Sequence, residues 1–130
     1  MKKIIFFLGI ISFIACKKDT TTTSGIIGSW VWVKSTAFSP TIVTPASSGK
    51  TWSLVFNSDS SFVQSGTLVT PGSGSFSIEN SNYYINDDSL FLKFPSYTSR
   101  YNYRFVTDDS LRISENEAVD GPVSFFSRVK

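Results

Sequence analysis

Tyr101-Asn102-Tyr103-Arg104-Phe105-Val106-Thr107-Asp108-Asp109-Ser110-Leu111-Arg112-Ile113 holds two short apolar alternations with a polar break between them. Tyr101, Tyr103 and Phe105 share one parity, and Arg100, Asn102 and Arg104 share the other. That is the period-2 pattern of a half-buried strand. Thr107-Asp108-Asp109-Ser110 is built from residues that favour tight turns, and Leu111 and Ile113 resume the alternation. The same turn signature recurs as Asn57-Ser58-Asp59-Ser60 and as Asn86-Asp87-Asp88-Ser89, each between alternating runs. Strand, tight turn and strand repeated along one chain predict an antiparallel meander.

The rest of the chain fits that reading. Trp30-Val31-Trp32-Val33 is a strand apolar on both faces. Trp52, Leu54 and Phe56 alternate with Ser53, Val55 and Asn57, Phe76 and Ile78 with Ser75 and Ser77. Leu90, Leu92 and Phe94 share one parity, and Val123 to Val129 closes the chain. Pro71-Gly72-Ser73-Gly74 and Asp120-Gly121-Pro122 add breaks. Residues 38–50, with Pro40, Pro45 and Gly49, read as the longest loop. The runs make eight or nine strands, and no stretch of ten residues has clean helical spacing. Composition agrees: 23 Ser, 12 Thr and 20 aromatics stand against four Ala, three Glu and one Gln. Strands are therefore favoured over helices. An up-and-down meander of about eight strands tends to close into a barrel, because closure removes its unpaired edges. The expected fold is all-β.

The 130 residues leave room for one domain. Met1-Lys2-Lys3 is a short basic start, and Ile4 to Ile14 is a largely apolar run, too short to span a bilayer as a helix. The pattern is that of a secretory signal peptide. Its end, Phe13-Ile14-Ala15-Cys16, resembles the lipobox of bacterial lipoproteins. The resemblance implies cleavage after Ala15 and a diacylglycerol group on Cys16. Several acyl chains on one residue anchor stably where a single chain does not. Residues 1–15 are then a signal peptide. Residues 16–25 are the lipidated Cys and a polar tether, including Lys17-Lys18-Asp19 and four Thr. Residues 26–130 are the folded body. The expected location is the cell envelope, on the outer membrane.

With no His and a single Cys, several chemistries drop out. Histidine-based triads, Cys/His zinc sites, disulfides and CxxC redox pairs have no residues to form them. Loss of Lys2 and Lys3 lowers Lys+Arg from 12 to 10 against 10 acids. The mature domain is neutral and has no bulk field for nucleic acid. Asp87-Asp88 and Asp108-Asp109 sit in predicted turns, where Asp bonds the local backbone. Glu115 and Glu117 share strand parity, without the opposed environments an acid/base pair needs. No catalytic residue, cofactor or metal is assigned, and a monomeric non-enzyme is expected.

The ends of the body carry a further signature. Gly28-Ser29-Trp30 opens the first strand, and Phe126-Ser127-Arg128-Val129 lies in the last. Phe56-Asn57-Ser58-Asp59-Ser60-Ser61-Phe62 is an aromatic-bounded hairpin, and Gly74-Ser75-Phe76 is a strand start. In that order these motifs resemble the small envelope lipoproteins called lipocalin-like. The resemblance implies that Gly28, Trp30 and Arg128 close the barrel base, with Arg128 packed across Trp30. It also implies a small ligand cavity.

A barrel of this size holds either a packed interior or one small ligand. After cleavage 17 aromatics remain, enough to fill much of it. Two readings follow. In the first, the barrel binds a small apolar or amphipathic molecule near Trp32, Trp52, Phe62, Phe94 and Tyr103. In the second, the barrel is filled, and the loops, above all residues 38–50, meet another envelope protein or an external enzyme. Tyr83, Tyr84, Tyr97, Tyr101 and Tyr103 could offer platforms for sugars or lipids, although Tyr101 and Tyr103 also read as half-buried strand residues. Arg100 and Arg104 read as a solvated face. Asp88-Ser89-Leu90 and Asp109-Ser110-Leu111 resemble O-glycosylation acceptors, although the turn reading explains both.

Overall fold

The computed structural model describes residues 25–36, 41–67, 79–115 and 121–130. The N-terminal segment with Cys16, both motifs between residues 71 and 78, Glu117 and Asp120 lie outside the described residues.

Among the described residues nine strands follow one another: β1 (Gly28–Thr36), β2 (Ile42–Val43), β3 (Trp52–Phe56), β4 (Ser61–Gly66), β5 (Glu79–Asn86), β6 (Ser89–Lys93), β7 (Thr98–Thr107), β8 (Ser110–Glu115) and β9 (Val123–Arg128). Every pairing is antiparallel, and β1 pairs with both β3 and β9. Eight strands therefore close into an up-and-down barrel. The ninth, β2, extends the β1 edge at Ser35 and Thr36, beyond the residues of β1 that pair with β3. Closure leaves no free edge in the eight-strand circuit, as sheet physics favours.

Of the loop expected over residues 38–50, the described part, residues 41–50, holds regular structure. Besides β2, it holds the one-turn helix α1 (Pro45–Ser48). Thr44 caps it, its side chain accepting from the Ser47 amide while the Ser47 hydroxyl meets the Thr44 amide. Pro45 begins the helix and Gly49 ends it in a left-handed conformation. Four residues are too few to show helical periodicity, so the segment read as loop.

The three recurrent polar turns form hairpins at one end of the barrel. Asn57 and Ser61 bracket the first through a backbone bond of 2.9 Å, and Asp59 accepts from the Ser61 amide and hydroxyl at 2.9 and 2.6 Å. Those bonds hold the Asp59 carboxyl below its ordinary pKa. Asp87 takes a positive φ of 51° in the second, a backbone that Asp tolerates. The connections β1–β3, β4–β5, β6–β7 and β8–β9 lie at the opposite, loop end.

Inward residues form one core, including Trp30, Leu54, Phe56, Phe62, Leu90 and Leu111. Aromatic rings interlock across strands: Phe62 lies 5.9 Å from Phe56 and 5.5 Å from Phe94, and Phe56 meets Tyr83 edge-on at 5.0 Å. In β1, Trp30 and Trp32 are buried while Val31 and Val33 are 42% and 44% exposed. The register with β9 slips between Trp32 and Lys34. This bulge turns Lys34 outward beside Phe125 and brings Ser35 to Ser124.

Candidate functional site

The tight-turn end is sealed. Trp30 is fully buried, and its Nε1 donates to the Ile26 carbonyl at 2.8 Å. Arg128 stands opposite Trp30 in the register, with its guanidinium carbon 4.2 Å from the ring centroid. The guanidinium donates to the carbonyls of Ile27 (2.8 Å), Gly25 (2.7 Å) and Asp108 (3.2 Å). One planar fork thus ties the start of the domain to the β7–β8 turn and stacks on the core Trp. Gly28 has φ 131°, and a Cβ there would lie 2.8 Å from Arg128 Nη1. Both the backbone and the space require glycine. The structure brings Gly28, Trp30 and Arg128 together at this base.

The remainder of the interior is amphipathic. Among the described residues, three buried polar atoms lack a hydrogen-bond partner: Trp52 Nε1, Ser81 Oγ and Tyr103 Oη. All three residues have the inward parity of their strands. Trp52 precedes Leu54 and Phe56, and its ring meets Phe126 edge-on at 4.9 Å. Ser81 pairs with Phe62, and Tyr103 pairs with Ile113. Leaving such an atom unpaired costs about 1–3 kcal/mol.

Further polar groups share the inward face towards the loop end. Trp32 Nε1 donates to Ser35 Oγ at 2.8 Å, and Ser35 bonds Ser124 Oγ at the same distance. Gln64 stands opposite Leu54, and Ser99 opposite Leu92. Burial pushes the Tyr101 hydroxyl above its ordinary pKa, a hydrogen bond with Ser99 opposes the rise, and Glu115 adds to it. Burial likewise raises Tyr103, with a smaller contribution from Asp88. These hydroxyls are therefore neutral at neutral pH. Trp Nε1 can only donate, whereas the hydroxyls donate or accept.

The five aromatic candidates divide. Phe62 is fully buried between Phe56 and Phe94. Trp32 and Phe94 are also core residues, Phe94 with Tyr97 stacked on it at 4.6 Å. Trp52 and Tyr103 carry the unpaired atoms. Ser81, Ser35, Ser124 and Tyr101 complete the polar part of the interior. The strand parity of Tyr101 was legible beforehand, but the serines were hidden among 23. Ser89 is buried and accepts from Arg100 Nε at 3.1 Å, so its hydroxyl is covered by that side chain. Among the described residues, no group of three His, Cys, Asp or Glu is placed to hold a metal ion. No protein-family model matches the chain, and no curated protein or solved structure is significantly similar to it.

Proposed function

We propose that the protein is a lipid-anchored envelope protein whose barrel reversibly binds a small amphipathic ligand and catalyses nothing. Trp52 Nε1, Ser81 Oγ and Tyr103 Oη carry this reading: three unpaired polar atoms inside an aromatic barrel. An apolar ligand alone would leave their cost in place. A ligand with an apolar body and a hydrogen-bonding group, such as a carbonyl or hydroxyl, offsets it. The sealed base leaves the loop end as the route of entry. The lipocalin-like motifs and the lipobox support the class and the anchor at Cys16.

The test titrates the full chain in lipid nanodiscs with lipids, porphyrins and short glycans, read by tryptophan emission. Saturable quenching that weakens in Trp52→Phe and Tyr103→Phe is the expected result. Both substitutions keep a ring and delete the polar atom. Silence towards every class would favour the second reading, a filled barrel acting through its loops. The interlocked Phe56, Phe62, Tyr83 and Phe94 rings are the observation on that side.

A further inference from the structure

Among the described residues, the basic side chains of the outer wall gather on β6 to β9 and β1. Lys93 on β6, Arg100 and Arg104 on β7, Arg112 on β8 and Lys34 on β1 all take outward positions. Each neighbours buried inward residues such as Leu92, Tyr103, Leu111, Ile113 and Trp32. Register sets Arg104 opposite Arg112, Arg112 opposite Phe125 and Phe125 opposite Lys34. A cationic row thus crosses four adjacent strands. Lys34 Nζ lies 5.0 Å from the Phe125 centroid, and Arg100 Cζ lies 6.0 Å from Phe91. Phe91 in turn stacks on Tyr84, centroids 4.5 Å apart.

Among the side chains the structure describes, no carboxylate shares this wall. Asp59, Asp87, Asp88, Asp108 and Asp109 all lie in the hairpin turns, and Glu115 has the inward parity of Ile113. Among the described residues neither Arg104 nor Arg112 forms an ion pair. Like charges directly opposite on a sheet repel, and the register sets Arg104 and Arg112 in that position.

We propose that the β6–β9–β1 wall docks on an anionic lipid surface, with its basic side chains against the lipid phosphates. The interleaved Tyr84, Phe91 and Phe125, with exposed Val31 and Val33, distinguish this occupant from a hydrated polyanion. Aromatic and aliphatic groups gain by entering the headgroup boundary, and cations beside them reach the phosphates. The proposal stands on the wall itself and requires neither the anchor at Cys16 nor a ligand in the barrel.

The test is co-sedimentation of the full chain with vesicles of phosphatidylcholine, with and without phosphatidylglycerol. Residues 1–24 include an apolar run, so every arm compares variants of the same chain. Partition should be stronger with phosphatidylglycerol. It should fall when salt rises from about 0.1 to about 1 M, which shortens the Debye length from about 10 to about 3 Å. Each basic residue near such a surface contributes about fivefold. The pair Arg104→Glu and Arg112→Glu should therefore lower partition at least about 20-fold. Circular dichroism and tryptophan emission establish that this variant is folded. Arg104→Gln with Arg112→Gln, which also removes the repulsion, is the second arm and should lose about fivefold per residue. Unchanged partition in a folded double variant overturns the proposal. Equal binding to both vesicle types does the same, as does binding to soluble dextran sulfate without preference for phosphatidylglycerol vesicles.

Discussion

Trp30 shows how one side chain carries several duties. It fills the base of the barrel, donates to Ile26 and receives Arg128 on its face. Trp30→Ala should cost about 3–5 kcal/mol, because a large buried ring leaves a cavity. Urea denaturation checks this, and a loss below about 1 kcal/mol would mean the base can collapse. Arg128→Lys keeps the charge but loses the fork that reaches three carbonyls, at a cost of about 1.5–3 kcal/mol. Tyr103→Phe should act in the opposite direction. Deleting a buried hydroxyl without a partner stabilises the ligand-free fold by about 1 kcal/mol. A Tyr103→Phe variant with a lower melting temperature would show that the hydroxyl is satisfied and would weaken the ligand reading.

Among the elements, the β3–β4 hairpin depends on Gly66. Its φ is 139°, and a Cβ there would clash with the Thr51 carbonyl oxygen. Gly66→Ala should destabilise by about 1–3 kcal/mol through backbone strain, measurable by thermal unfolding. The β7–β8 pair offers the reverse case. Arg112→Thr removes a like-charge cross-strand contact and places a β-branched residue on the strand. It should stabilise the domain by about 0.2–1 kcal/mol while weakening partition onto anionic vesicles. Gain in stability with loss of binding is the signature of a residue kept for a partner. The bulge at β1 belongs to the same wall. Strict alternation from Trp30 and Trp32 would turn Lys34 inward, and the register slip turns it out.

For the molecule as a whole, charge is segregated rather than absent. The near balance of 12 basic and 10 acidic residues hides, among the described residues, a basic wall and an acidic turn end, and the local field at each is set by its own residues. The pH response follows from the tyrosines. Burial raises Tyr83, Tyr101 and Tyr103 above their ordinary value of 10.0. Above that pH the unfolded chain loses protons that the folded state retains, so stability is undiminished below it and falls as pH rises through the higher folded values. Tyrosinate absorbance from these residues should appear together with unfolding. Its appearance in the folded state would contradict their burial. Asp59 has the opposite sign. Its depressed folded pKa contributes above the ordinary 3.8, and that contribution is lost as pH falls through the lower folded value. Ligand affinity between pH 6 and 8 should stay flat, since no His is present and the inward hydroxyls remain neutral. Mass spectrometry of the N-terminal peptide from native membranes should find Cys16 acylated. A chain retaining Met1 would refute the anchor.

Periodicity by itself was enough for the all-β meander and its hairpin turns. Alternating apolar residues and Asp/Asn/Ser turns are local features, and each is decided within a few residues. The base residues Gly28, Trp30 and Arg128 were legible only through the resemblance their end motifs carry, which periodicity does not supply. The amphipathic interior and the basic wall were not. Ser81 gains meaning from standing opposite Phe62, and Arg104 from standing opposite Arg112. Both follow from cross-strand register, which joins residues far apart in the chain. The bulge at Val33 and the caps of α1 escaped for the related reason that each interrupts or falls short of a period. Local alternation determined which residues face in or out along most strands. The tertiary structure decided which of them meet, because strand pairing, closure and bulges are settled by packing across the barrel.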